Sequence, residues 1–116
     1  MKILYIDDDA ELRYHFKSML EEHRGHAVEV ASSGDEGTNM IAGSAFDLVI
    51  TDMQMPGMSG LDVIRFVKDR YPEIKLILKS KGFFRKVAEK EGVPFYAMME
   101  GTKYLLDMVE NMSKVL

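Results

Sequence analysis

Four aspartates follow two short apolar runs, and that placement defines the chemistry open to this chain. Asp7-Asp8-Asp9 come directly after Ile3-Leu4-Tyr5-Ile6, and Asp52 comes directly after Leu48-Val49-Ile50-Thr51, just ahead of Pro56-Gly57 and Gly60. Carboxylates that end two parallel strands meet at one edge of the sheet, where ligand sites of open α/β folds form. Brought together they repel: at an effective dielectric of about 20 and roughly 5 Å, each pair costs about 3 kcal/mol. A cation among them, or a proton on one of them, removes that cost. An all-oxygen donor set suits Mg2+, and one of the acids could also accept a phosphoryl group. The bland alternative is that the acids only cap helices or lie in solvent, and for Asp9 capping is the expected role.

The elements that must position these acids are legible as alternating apolar and amphipathic stretches. Residues 2–6 read as a buried strand. From residue 10 to about 23, Leu12, Phe16, Met19 and Leu20 recur at helical spacing, and Gly25 stops the helix. Residues 27–31 alternate as a half-exposed second strand. A turn at Ser32-Ser33-Gly34 leads into a short helix to about residue 42, weakened by Gly37 and Gly43 at about 1 kcal/mol each relative to alanine. Residues 46–51 form a central strand, and residues 59–71 a helix with Leu61, Ile64 and Val67 on one face, closed by Pro72. Residues 76–78, 83–91 and 94–99 read as strand, short helix and strand. Thr102 is placed to cap a last helix through residue 116, with Leu105, Leu106, Val109, Met112 and Leu116 inward. Five strands alternating with five helices predict a doubly wound parallel α/β sheet, with one domain filling residues 1–116.

Composition narrows the function classes. A chain of 116 residues with 47% hydrophobic content buries one core. Charged residues at 29% and a net charge of −4 argue against disorder and against a nonspecific nucleic-acid surface. The absence of cysteine excludes disulfides, thiolate metal sites and cysteine nucleophiles. No apolar run approaches the ~20 residues of a membrane span, and the first residues do not read as a signal peptide, so a cytoplasmic protein is expected. The ten methionines are expected mainly to fill core gaps.

The sequence resembles the receiver domain of two-component response regulators across its whole length. Three pieces carry the match: Ile3-Leu4-Tyr5-Ile6-Asp7-Asp8, Asp47-Leu48-Val49-Ile50-Thr51-Asp52 and Met55-Pro56-Gly57-Met58-Ser59-Gly60. The resemblance implies a flavodoxin-like five-stranded parallel sheet of order 2-1-3-4-5. It implies Asp52 as phosphoacceptor, Asp7 and Asp8 as the Mg2+-binding acidic pair, and Gln54 as the donor of a backbone carbonyl to the ion. It places Ser80 at the family's Thr/Ser switch position and Tyr96 at its aromatic switch position, against the alternative that Tyr96 is a half-buried ring with a solvated hydroxyl. The loop from Pro56 to Gly60 is expected to shape the turn out of the third strand, with Ser59 capping the next helix. Implied partners are a histidine kinase or histidine phosphotransfer protein and an output partner the sequence does not identify. No helix reads as a basic DNA-recognition element, and a monomer or weak dimer is expected.

The fifth strand departs from the family. The family ends it with a lysine followed by proline; the register set by Gly92 and Tyr96 puts Met99 and Glu100 there. The stretch from Ser80 to Gly92 is about three residues short, so the fourth helix is expected to be truncated. Lys79 and Lys81 flank Ser80. Strand alternation sends Lys79 to the face opposite Ser80 and leaves Lys81 at the mouth of the site. Lys81, or secondarily Lys103, is the candidate for positive charge near Asp52, against the alternative of a solvated surface lysine.

Three functions follow from these residues. The first is a switch phosphorylated on Asp52, better called a signalling protein than an enzyme. The second is a receiver-like interaction module that works without phosphorylation. In the third, Asp7-x-Asp9 resembles the nucleophile motif of haloacid-dehalogenase-like phosphatases, although the chain is short for that fold.

Overall fold

The computed structural model describes residues 1–23 and 25–114. Strands β1 (Lys2–Ile6), β2 (Ala27–Ala31), β3 (Leu48–Asp52), β4 (Lys75–Ser80) and β5 (Phe95–Ala97) form one parallel sheet in the order β2-β1-β3-β4-β5. The interior strands β1, β3 and β4 are near-continuous runs of buried residues, as strands covered on both faces must be. The edge strand β2 alternates buried with exposed positions.

Helices α1 (Ala10–Glu21) and α5 (Thr102–Ser113) cover one face; α2 (Gly34–Gly43), α3 (Gly60–Arg70) and α4 (Arg85–Glu91) cover the other. The α1/α5 face buries Ile3, Tyr5, Phe16, Leu20, Leu48, Ile50, Ile77 and Tyr96. The opposite face buries Leu4, Ile6, Val49, Val63, Ile64, Leu76 and Leu78. This two-sided burial fixes the parity of every strand residue. Asp7 continues the Ile3–Tyr5 parity, Asp52 the Leu48–Ile50 parity and Lys79 the Ile77 parity, so all three belong to the α1/α5 side.

Several boundaries differ from the sequence reading. Strand β3 starts two residues later and ends one residue later than the sequence reading, so that Asp52 is its last residue. Strand β5 stops at Ala97, and Met98–Glu100 turn into a short 3-10 helix. That turn is held by Glu100, whose carboxylate accepts from the Ala97 N–H at 3.0 Å. Thr102 does not cap α5: the cap position belongs to Gly101, at a φ of 86°. Leu105 and Val109 are buried and Leu106 and Met112 partly so, while Leu116 lies outside the described residues. Helix α4 is seven residues long, short as expected.

Candidate functional site

Strand ends and helix caps bring the acids together. Asp9 is the N-cap of α1, its carboxylate accepting from the Glu11 and Leu12 N–H groups at 2.9 and 3.2 Å. The cap fixes the turn out of β1 and leaves Asp7 and Asp8 at the sheet edge. Asp7 is 1% exposed. Its two oxygens are held from different sides: Oδ1 accepts from the Asp9 N–H at 3.0 Å and Oδ2 from the Tyr5 hydroxyl at 2.8 Å. Arg13 pins the Asp7 carbonyl from α1 at 2.7 Å. Asp7, Asp8 and Asp52 each offer one oxygen within 4.8 Å of the others.

The loop after Asp52 shapes the other wall. The Gly60 N–H donates to the Met53 carbonyl at 2.9 Å, and a Cβ on Gly60 would meet the Asp52 carbonyl oxygen, so α3 reaches the strand end only because residue 60 has no side chain. Gly57 takes a φ of 74°, as the turn requires. Ser59 caps α3 in a reciprocal pair with Asp62. Asp7, Asp8, Asp9, Leu12, Asp52, Gln54, Ser80 and Lys81 thus line an open cavity of about 250 Å³.

The charge beside Asp52 comes from a residue the sequence reading set aside. Lys79 is 1% exposed, and its Nζ lies 2.9 Å from Asp7 Oδ2 and 3.6 Å from Asp52 Oδ1. The same ammonium sits 5.7 Å from the Tyr5 ring centroid and 5.5 Å from that of Phe16. Lys79 does point away from Ser80, as alternation requires, but that is the face on which Asp52 lies. Lys81 is exposed at the cavity rim, and Lys103 is exposed on α5, paired with Asp107 at 2.9 Å. Among the described residues, Lys79 is the cation paired with the site carboxylates, while Lys81 stays at the rim of the same cavity.

Asp52, with its side chain 15% exposed, has its carboxyl pushed from 3.8 up to about 6. Burial is the main cause; Lys79 pulls the value down, Asp7 and Asp8 push it up, and the Met53 N–H pulls it down. Ser80 is buried, and its hydroxyl oxygen accepts from the Gly82 N–H at 2.9 Å. Tyr96 is buried rather than half-exposed. Its hydroxyl donates to the Gly101 carbonyl at 2.9 Å, and its ring lies between Phe16 and Tyr104. Met99, at the position of the expected lysine, is 84% exposed.

The profile of the response regulator receiver domain matches residues 3–93. The chain belongs to the receiver domain family. It is 34% identical over 90 residues to the two-component response regulator PhoP of Pseudomonas aeruginosa, covering 77% of this chain and 40% of that protein. This receiver spans well under half the length of the first curated relatives it matches. Among solved structures, a receiver domain protein from Clostridium thermocellum is 37% identical, with a TM-score of 0.73 over 83% of this chain and 79% of that one. The response regulator TrrA of Thermotoga maritima, solved with Mg2+ and BeF, is 26% identical, with a TM-score of 0.84 over 99% of this chain and 98% of that one.

Receivers bind Mg2+ at an acidic aspartate cluster, and the residues here fit that ion. The donors are all carboxylate oxygen, and their 4.8 Å spread is close to the roughly 4.2 Å across an octahedral Mg2+ site. Among the described residues, no helix is long and apolar enough to cross a membrane.

Proposed function

We propose that this receiver accepts a phosphoryl group on Asp52 from a phosphohistidine of a histidine kinase or histidine phosphotransfer protein, in a Mg2+-dependent cytoplasmic phosphorelay. The observation that carries this reading is the convergence of Asp7, Asp8 and Asp52 within 4.8 Å around one open cavity. An Asp52 oxygen attacks phosphorus as the histidine N–P bond breaks; an O–P bond forms, and the histidine nitrogen leaves with its electron pair to be protonated by solvent. Asp7, Asp8, Asp52 and the Gln54 carbonyl would hold the ion, which when bound neutralises charge between the carboxylate and the phosphoryl oxygens. Ser80 is the switch: its hydroxyl, held by the Gly82 N–H, turns to donate to a phosphoryl oxygen and draws the β4–α4 loop inward. The burial of Tyr96 against α5 supports a part for that ring in the response.

Intact-mass spectrometry after treatment with acetyl phosphate and Mg2+ tests the proposal. The native chain gains one phosphoryl group and the Asp52→Asn chain gains none. A native chain that takes no label favours the second reading, a phosphorylation-independent interaction module. That reading draws on Phe83 and Met99, which are 100% and 84% exposed beside the short α4. The phosphatase reading finds no support, since Asp9 is committed to the α1 cap and the chain is a receiver.

A further inference from the structure

We propose that Lys79 is the cation of this phosphoryl-accepting site, supplied from the fourth strand, where the family pattern takes a lysine from the end of the fifth. The inference rests on the phosphoacceptor reading of Asp52.

Placement argues first. An ammonium that is 1% exposed is costly to bury unless it is paired, and a methionine would fill the same strand position without that cost. Among the described residues, the ion pairs of Lys79 are with the acids of the site: Asp7 at 2.9 Å and Asp52 at 3.6 Å. Its stem is confined by its neighbours in the α1/α5 core. Tyr5 and Phe16 face it with their rings, while Asp52 and Tyr96 are its partners in the adjacent strands. A charge held this way is preorganised and needs no rearrangement when the substrate arrives.

Charge balance argues second. Three ionised carboxylates are neutralised by one divalent ion together with one ammonium. Converting the Asp52 carboxylate into a dianionic acyl phosphate then adds one negative charge, and without Lys79 the product would carry two negative charges in excess. Among the described residues, no other lysine or arginine is ion-paired with Asp7 or Asp52, and Lys81 lies at the cavity rim. Strand β5 ends at Ala97, Met99 is in solvent, and Glu100 pairs with Arg85 at 3.2 Å. Lys79 is also adjacent in sequence to Ser80 and on the opposite face, so the cation and the switch hydroxyl lie on one strand end. The phosphoryl group would be sensed through β4 from both faces, leaving the β5–α5 connection outside the site.

Two measurements on Lys79→Met test this. Labelling by acetyl phosphate at saturating Mg2+ falls about a hundredfold, as when one preorganised charge partner is lost. The affinity for Mg2+ alone, measured by calorimetry, rises about tenfold, because the ammonium no longer repels the ion from Asp7 and Asp52. Disruption of the fold would lower both, so the opposite signs distinguish charge from packing. On the native chain, lysine side-chain NMR with Mg2+ and beryllofluoride provides a readout that needs no variant: the Lys79 Cε resonance shifts more than those of Lys81 and Lys103. Labelling of Lys79→Met within about twofold of native, unchanged Mg2+ affinity, or a shift at Lys81 in place of Lys79 would each overturn the inference. A native chain that takes no label defeats the phosphoacceptor reading and this inference together. A native chain that labels, with an equally labelled Lys79→Met, defeats this inference alone.

Discussion

Asp52 and Lys79 are register partners in adjacent parallel strands, with Lys79 Nζ 3.6 Å from Asp52 Oδ1. The pairing joins a nucleophile and a cation through the sheet itself, with no loop between them. Side chains on one face of neighbouring strands have fixed spacing, so the relationship is as rigid as the β3–β4 ladder.

Asp52 should report its surroundings when titrated. Its carboxyl is raised to about 6, chiefly by burial, so the Asp52 Cγ resonance of the metal-free chain is expected to titrate there. Between about pH 4 and 6 the folded chain holds a proton that the unfolded chain has released, so stability falls as pH rises through that window. Urea midpoints at the two ends of the window should show this fall in the native chain and lose it in Asp52→Asn. An equal fall in both would assign it to other groups.

Gly60→Ala should damage the fold and the site together. The new Cβ would lie 2.8 Å from the Met53 Cα and against the Asp52 carbonyl, backbone that cannot swing aside. Overpacking of this kind costs about 3 kcal/mol. Urea denaturation is the check; a loss under about 1 kcal/mol would mean that α3 can shift away from the strand end.

Tyr5→Phe isolates one support of the acidic pair. The buried hydroxyl donates to Asp7 Oδ2 at 2.8 Å, the oxygen that also takes Lys79. Losing a hydrogen bond to a charged acceptor should cost about 2 kcal/mol, measured as a shift of the urea midpoint with unchanged slope. Full native stability in Tyr5→Phe would show that Lys79 and the Asp9 N–H suffice to hold Asp7.

Ser80→Ala should separate chemistry from response. The hydroxyl is not the nucleophile, so acetyl phosphate labelling is expected to stay within about threefold of native, an effect below 1 kcal/mol. The change it mediates should go: amide resonances of residues 81–84, which move on adding Mg2+ and beryllofluoride to the native chain, should barely move in the variant. Equal shifts in both chains would remove Ser80 from the switch.

Much of this protein was legible in order along the chain. The apolar runs ending in Asp7-Asp8 and Asp52 announced two strands and a shared acidic edge, because a strand buried on both faces is continuous in sequence. Asp9 and Ser59 could be read as caps because capping is local, joining residues two or three apart. Thr102 misled for a related reason: a hydroxyl next to a helix start does not say which residue occupies the cap, and the φ of 86° at Gly101 does. Alternation likewise put Lys79 opposite Ser80, but it could not say on which face Asp52 would stand. That depends on the register between β3 and β4, which no local pattern encodes and which packing of the two hydrophobic faces decides. The sequence by itself determined that these acids would share an edge. Only the folded sheet decided that a lysine 72 residues after Asp7 would come to lie beside it, because contact across strands is a property of register and not of spacing.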